Sequence, residues 1–330
     1  MDFDLILRNA LRAAVGQEAI VYALAAIGLN IHFGYTGLVN FGQAGFLAVG
    51  AYGIGITVTE LGWSLWPSIL VGLGAAVVLA LLLGIPTLRL RADYLAITTI
   101  AASEILRLCF RSVTFGDVTG GSTGLNRFAD DFYDLNPLSN GTYGFWAFRF
   151  SENRMWLLIV GWVLVALMAL LVFLLMRSPW GRVVKSIRED EDAARALGKN
   201  VFSYKMQSLV LGGVIGALGG MVLAVGTQAI QPDNFGTPIT FFAYTALILG
   251  GAARVIGPVV GAAIFWVVLS FTDNFLRQAV AEDLIPTAIM SGTQVGIVRQ
   301  MLVGLGLMLL IIFRPQGIFG DKREIALDAR

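Results

Sequence analysis

Several stretches of this chain run close to twenty residues with almost no charge, and no other feature narrows its folding options so far. A helix of that length spans a hydrocarbon core roughly 30 Å thick. Nine crossings are read, at Ala19–Phe33, Leu38–Thr59, Trp66–Leu88, Tyr94–Phe110, Met155–Met176, Met206–Thr227, Thr240–Ala252, Val259–Phe275 and Gln294–Phe313. Leu38–Thr59 is broken by glycines and Thr240–Ala252 is short, so either reads as a discontinuous or re-entrant segment. The apolar runs are continuous rather than of period two, which excludes a membrane β-barrel. The expected fold is therefore all-α, a polytopic helical membrane protein of about eight to ten transmembrane helices. Composition agrees, because hydrophobic residues make up 57% and charged residues 14% of the chain, with mean hydropathy +0.76. A soluble domain carries about a quarter charged residues and could not hide so much apolar surface.

Composition also removes function classes. The first residues mix acids and arginines among apolar positions, so no cleaved signal peptide is expected. The net charge is +1, and no basic block is long enough to neutralise a line of phosphates, so nucleic acid is not an expected partner. One histidine, His32, and one cysteine, Cys109, lie in different expected helices, which leaves no metal site and no internal disulfide.

Lysine and arginine in short loops resist translocation and set orientation. Arg177, Arg182, Lys185, Arg188, Arg195, Lys199 and Lys205 crowd one segment, 177–205, which is placed in the cytoplasm. Counting crossings from there puts Arg89, Arg91, Arg254 and the 315–330 tail with Lys322 and Arg323 on the same side, and 273–282 on the other. Residues 111–154 form an extracytoplasmic loop of the single transmembrane domain 1–330. The same count leaves Arg8 and Arg12 outside. Either the glycine-broken segment does not fully cross, or the first residues form an interfacial helix.

The segment Ser178–Asn200 reads as one cytoplasmic helix. Ser178-Pro179 stops the preceding span, and Val183, Val184, Ile187 and Ala194 share a face at helical spacing. Lys185 with Glu189, Arg188 with Asp192, and Glu191 with Arg195 stand four apart, where ion pairs support a short helix. By itself this is as readily a solvated loop helix as a docking element.

The run Gly34–Gly55 is rich in glycine and holds Asn40 and Gln43 among apolar residues. Two readings stay open: close helix packing, or an unwound helix whose polar groups face a pathway. Asn30, Asn40, Gln43, Thr98 and Glu104 are the candidate pathway-lining residues. Glu104 is an acid within a span, although Arg107 and Arg111 nearby offer it an ion pair at the membrane surface. Gly212, Gly216 and Gly220, and likewise Gly257 and Gly261, fall four apart on packing faces, within the chain or against a second subunit.

Taken in order, NIHFGYTGLVNFGQAGFLAVGAY, RLRADYLAITTIAASEILRL, VTGGSTGL, SIREDEDAARALGKN, ILGGAARVIGPVVGA and FRPQGIFG make the chain resemble, over nearly its whole length, the LivM-type permeases of branched-chain amino acid ATP-binding-cassette importers. In such permeases a Glu-Ala-Ala-x-x-x-Gly loop meets the ATPase. Here Asp192-Ala193-Ala194 followed by Gly198 matches it, with Asp for Glu. The resemblance implies that Ile187, Arg188, Glu189, Asp192, Ala193, Ala194, Leu197 and Gly198 form the coupling helix. It implies as partners a LivH-like second permease, two ATPases and a periplasmic or lipid-anchored binding protein, in a bacterial cytoplasmic membrane. ATP and Mg would sit on the ATPases. This chain would bind no cofactor and catalyse nothing, in keeping with its lack of a G-x-x-x-x-G-K-[ST] loop. Urea or a short amide is the alternative cargo. An ion-coupled secondary transporter calls for charged relays deep in several spans, and a membrane-embedded enzyme for clustered catalytic groups; neither pattern is present in this sequence.

Overall fold

The structure, a computed structural model, describes residues 2–90, 92–282, 294–314 and 316–320. It is an all-α, polytopic helical membrane protein. Among the described residues five helical segments are long and apolar enough to cross a membrane: Gln17–Thr36, Leu65–Thr87, Glu152–Arg177, Val201–Thr227 and Gly257–Ala281. Shorter apolar helices cover Gln43–Thr59, Thr237–Gly250 and Val295–Gly306. The expected span Tyr94–Phe110 lies within a helix, Ala92–Arg111, that carries more charge than these. Arg91, Lys322 and Arg323 lie outside the described residues.

In chain order the helices are α1 (Phe3–Val15), α2 (Gln17–Leu29), α3 (Gln43–Thr59), α4 (Leu65–Thr87), α5 (Ala92–Arg111), α6 (Gly116–Thr119), α7 (Asp130–Asp134), α8 (Glu152–Arg177), α9 (Pro179–Glu189), α10 (Glu191–Ala196), α11 (Val201–Thr227), α12 (Thr237–Gly250), α13 (Gly257–Ala281) and α14 (Val295–Phe313). Several boundaries depart from those expected: α13 continues to Ala281, through most of the expected loop 273–282, α11 starts earlier, at Val201, and two further departures surround the glycine break. The first span does not stop at Phe33 but widens into a π-helical turn over Asn30–Thr36. The second does not start at Leu38, because residues 37–42 are unwound and α3 begins only at Gln43. Gly37 closes the π turn at φ +74°, a left-handed conformation that glycine adopts without strain.

The helix α2 is enclosed on all sides, packed by α8, α11, α12 and α13, while α3 lies between α11 and α4. With no water to drive apolar groups together inside a bilayer, close backbone approach and dispersion hold such helices. The glycines supply that approach. A Cβ on Gly212 would overlap the Gly28 carbonyl and the His32 ring, one on Gly216 the Gln43 amide, and one on Gly220 the Leu47 carbonyl. Gly257 and Gly261 press likewise on Gly251 and Ala246, joining α13 to α12. Both stripes thus pack within the chain.

One end of the bundle carries α9, α10 and Arg89, and is called here the basic end. The opposite, loop end is capped by residues 112–151. Short strands β1 (Leu125–Asn126), β2 (Thr142–Tyr143), β3 (Phe150–Ser151) and β4 (Ala229–Ile230) form two antiparallel pairs, β1 with β4 and β2 with β3. Asp131 accepts from the Leu65 amide at 2.8 Å and caps α4, and Tyr133 donates to the Val225 carbonyl at 3.0 Å.

The amphipathic α1 buries Ile6 and Ala10 against α13 at the loop end. Asn9 donates to Asn274 at 3.1 Å, and Arg12 stacks on the Phe150 ring at 4.7 Å. α1 is thus a separate amphipathic helix ahead of α2.

Because Gly220 meets backbone, Gly220→Ala forces α11 and α3 apart, whereas a Cβ on Gly74 meets nothing within 4 Å. Thermal unfolding of the detergent-purified chain should show Gly220→Ala less stable by about 1–3 kcal/mol and Gly74→Ala as stable or more so, by up to about 1 kcal/mol.

Candidate coupling surface and the buried polar network behind it

The segment expected to be one helix over Ser178–Asn200 is two. Asp190 leaves helical space at φ −156°, ψ 107°, and its carboxylate accepts from the Asp192 and Ala193 amides, both at 2.9 Å. That side chain satisfies the first orphan N–H groups of α10, so the break costs little. At the other end Gly198 (φ +78°) donates to Arg195 and Lys199 to Ala194, which closes α10 with paired reverse hydrogen bonds.

The expected apolar face forms in two parts: Ile187 and Ala194 are buried with Val201, with Val183 packed beside them, while Val184 is buried in the main core of the bundle. Glu191 pairs with Arg195 at 2.9 Å, and also with Lys205. Arg195 bonds Asp192 at 2.8 Å. Lys185, expected opposite Glu189, instead stands over the Tyr35 ring at 5.7 Å. Outward from this face, Ala193, Ala196 and Leu197 are exposed, Leu197 at 80% of its surface, among Glu189, Asp192, Arg195 and Lys199. The result is a small apolar knuckle ringed by charges.

Behind the knuckle, α9 grips the π turn. Arg188 donates from Nη1 to the Gly34 carbonyl at 2.6 Å, and its side chain lies over Gly37. From the π turn a polar network runs into the bundle. The Thr36 hydroxyl bonds the Ile31 carbonyl at 2.7 Å and the Ser208 hydroxyl at 2.9 Å. His32 donates from Nε2 to the Leu209 carbonyl at 3.2 Å, which leaves Nδ1 to accept from the Asn40 amide at 3.1 Å. Asn40 also reaches Gln43 at 3.4 Å, and Gln43 donates to the Gly212 carbonyl at 3.2 Å.

This network stabilises the unwound stretch. Exposed backbone at membrane depth needs protein partners. Gly42 donates to the Asn40 side chain at 2.9 Å, Phe41 to Thr99 at 3.0 Å, and Ala44 to Thr240 at 2.9 Å, while Tyr244 donates to the Asn40 carbonyl at 2.9 Å. Asn30 ties the same region to the turn after α12, accepting from Ala253 and donating to the Arg254 carbonyl, each at 2.8 Å.

Of the candidate pathway residues, then, Asn40 and Gln43 come together and Asn30 bonds the turn after α12, all three buried and hydrogen-bonded to protein. Thr98 stands apart and bonds carbonyls of its own helix. Glu104 lies at the loop end. It pairs with Arg107 at 2.9 Å and accepts from the Thr237 hydroxyl at 2.6 Å and amide at 3.2 Å, capping α12. Arg107 and Arg111 both reach Asp233, at 2.8 and 3.3 Å. The pair expected between Glu104 and Arg107 is present, and the sequence reading missed its other partners, Asp233 and Thr237. It also missed His32 and Thr99 as members of the network. His32 carries a local signal, a polar side chain within a turn of Gly34, whereas Thr99 lies on a helix that holds no glycine and meets the stretch only through the fold. Among the described residues no three His, Cys, Asp or Glu gather as a metal site.

The family model for the permease component of branched-chain amino acid transport systems matches residues 13–294. This chain belongs to that permease family. The family match spans the π turn, the unwound stretch and the knuckle together. Among relatives, the LivM permease of the high-affinity branched-chain amino acid system of Salmonella typhimurium is 28% identical over 94% of this chain and 70% of its own length. A probable LivM permease of Methanocaldococcus jannaschii is 27% identical over 92% of this chain and 91% of its own. The LivH permease of Escherichia coli is 24% identical, over 91% of each. The resemblance to LivM-type permeases is thus present along nearly the whole chain.

Asn40→Ala in this permease strands the Gly42 amide and the His32 Nδ1 acceptor in a dry site. Each buried unpaired group costs about 1–3 kcal/mol, so thermal unfolding should show a loss of about 2 kcal/mol or more, with Thr98→Ala near neutral.

Proposed function

We propose that the chain is one half of the translocation pathway of an ATP-driven importer for branched-chain or related hydrophobic amino acids. It works by alternating access and catalyses nothing itself. A LivH-like permease completes the pathway, two ATPases carrying ATP and Mg dock at the basic end, and a periplasmic or lipid-anchored binding protein delivers cargo at the loop end. The basic end then faces the cytoplasm and the membrane is the bacterial cytoplasmic membrane, in line with the crowding of Arg and Lys at that end.

The observation that carries this reading is the connection from the knuckle to the network. Ala193, Ala196 and Leu197 offer a small apolar surface that a groove can close over, and the charges around it set orientation. α9 and α10 share an apolar core, so force on the knuckle moves Arg188 and with it the Gly34 carbonyl. A π turn and an unwound stretch change hydrogen-bond register more readily than a regular helix. Movement at α9 thereby reaches α3, α5, α11 and α12, all of which hold the stretch. At the loop end, Thr119–Leu125 and Gln228–Thr237 are joined through β1 and β4, forming one continuous surface for the binding protein. Affinity for cargo resides mainly in that protein, because a tight site in the pathway would slow release.

The test is affinity purification of the tagged chain in mild detergent, followed by reconstitution of what comes with it. A second permease and two ATPases should co-purify. Ala193→Trp should abolish ATPase recovery. Arg188→Gln should retain the ATPases yet lower ATP-dependent uptake by about tenfold, since the docking surface is intact and the link behind it is cut. Transport by the chain alone in liposomes without ATP would overturn the proposal.

A further inference from the structure

Where α4 stops and α11 begins, a hollow of about 770 Å³ opens at the basic end. Four cations line it: Arg89 from the turn after α4, Arg195 and Lys199 from α10 and its end, and Lys205 from α11. The acid on its wall, Glu191, is already paired with Arg195 and Lys205. Asp192 also pairs with Arg195, so four cations less two acids leave a formal surplus of two positive charges. Arg89 touches the Phe202 ring at 5.8 Å, and neither it nor Lys199 has a carboxylate partner among the described residues. The start of α11 adds the positive end of a 27-residue helix to the same wall.

One side of the hollow is apolar and continuous with the bundle surface. Leu90 and Phe202 are exposed at its rim, and below them α4 presents Leu81, Leu82 and Ile85 outward along a membrane-spanning helix. The cations therefore stand at the depth where a span ends, directly above an apolar track. A soluble anion needs only the charges. A phosphate that carries acyl chains uses both.

We propose that this hollow binds the phosphodiester of an anionic phospholipid headgroup, with the acyl chains lying along the outer face of α4. Arg89 and Lys199 make the charge contacts that are free to be made, and Lys205, whose side chain is only 14% exposed, fixes the floor. Because Lys199 and Arg195 belong to the end of the knuckle helix and Arg89 to the turn after α4, a bound headgroup ties the coupling segment to the α4–α5 turn.

The experiment uses the full chain in mild detergent, with native mass spectrometry counting bound short-chain phosphatidylglycerol, short-chain phosphatidylcholine or inorganic phosphate. Phosphatidylglycerol should be retained in preference to phosphatidylcholine, and roughly thirtyfold more weakly in the Arg89→Gln, Lys199→Gln double variant, as expected for two cations at a lipid surface. Millimolar inorganic phosphate should not displace it. Equal retention of phosphatidylcholine, or unchanged binding in the double variant, would overturn the proposal; displacement by inorganic phosphate would assign the hollow to a soluble anion and overturn the lipid source. Hydrogen exchange on the unmodified chain gives a readout that does not depend on the variant folding: phosphatidylglycerol should slow exchange over residues 195–205, and no change there counts against the site.

Discussion

The bundle depends on how backbone polar groups are satisfied where there is no water. A regular helix satisfies them internally, and most of this chain does so. Residues 37–42 do not, and all but Gly37 are buried or half-buried beside the bundle's most enclosed helix. An unpaired amide or carbonyl in hydrocarbon costs several kcal/mol, so the break can persist only if other elements bring donors and acceptors to it. Thr99 from α5, Thr240 and Tyr244 from α12, and Asn40 from the stretch itself provide them. Each such bond fixes the approach of a whole helix. The packing glycines follow from the same requirement, because Gln43 and His32 reach carbonyls on α11 only where the facing residues lack a Cβ.

The long apolar runs were legible in the sequence because their signal is one-dimensional: length and absence of charge decide them. The glycine stripes were legible for the same reason, since a spacing of four on a helix is a face whatever lies opposite. What lay opposite was not. Nothing local to Gly212 says that its neighbour is Gly28 rather than a second subunit, because that pairing spans more than half of the chain. The break at Asp190 was missed for a different reason. The charge pattern of 178–200 fits one helix, and the cap that ends it early depends on backbone angles that no spacing rule reports. Lys185 and Glu189 both lie on α9, ahead of that break, and Lys185 stands over the Tyr35 ring across the helix interface, a contact that no spacing within 178–200 reports.

The polar residues near the glycine break show where sequence reasoning could have gone further. Asn40 and Gln43 were singled out as pathway or packing residues, and here they bond protein jointly with His32. A lone histidine in an apolar run is usually a satisfied core residue, and here it is one, with Nε2 donating and Nδ1 accepting. That division of roles requires the neutral ring. The network is thereby self-consistent without a ligand.

A network satisfied by long, partner-exchangeable hydrogen bonds suits a moving part better than an apolar core does. Apolar packing at native density resists small displacements in every direction, whereas a side-chain amide 3.2–3.4 Å from its acceptors can trade one for another at little net cost. Gln43 already stands between two carbonyls, those of Ala25 on α2 and Gly212 on α11. A shift of α11 along α2, eased by the absence of Cβ atoms between them, changes which carbonyl it favours without stranding the amide. The same glycines that draw the helices together thus set where Gln43 meets both carbonyls, and the polar groups that the break required join α9, the π turn and α11 by hydrogen bonds.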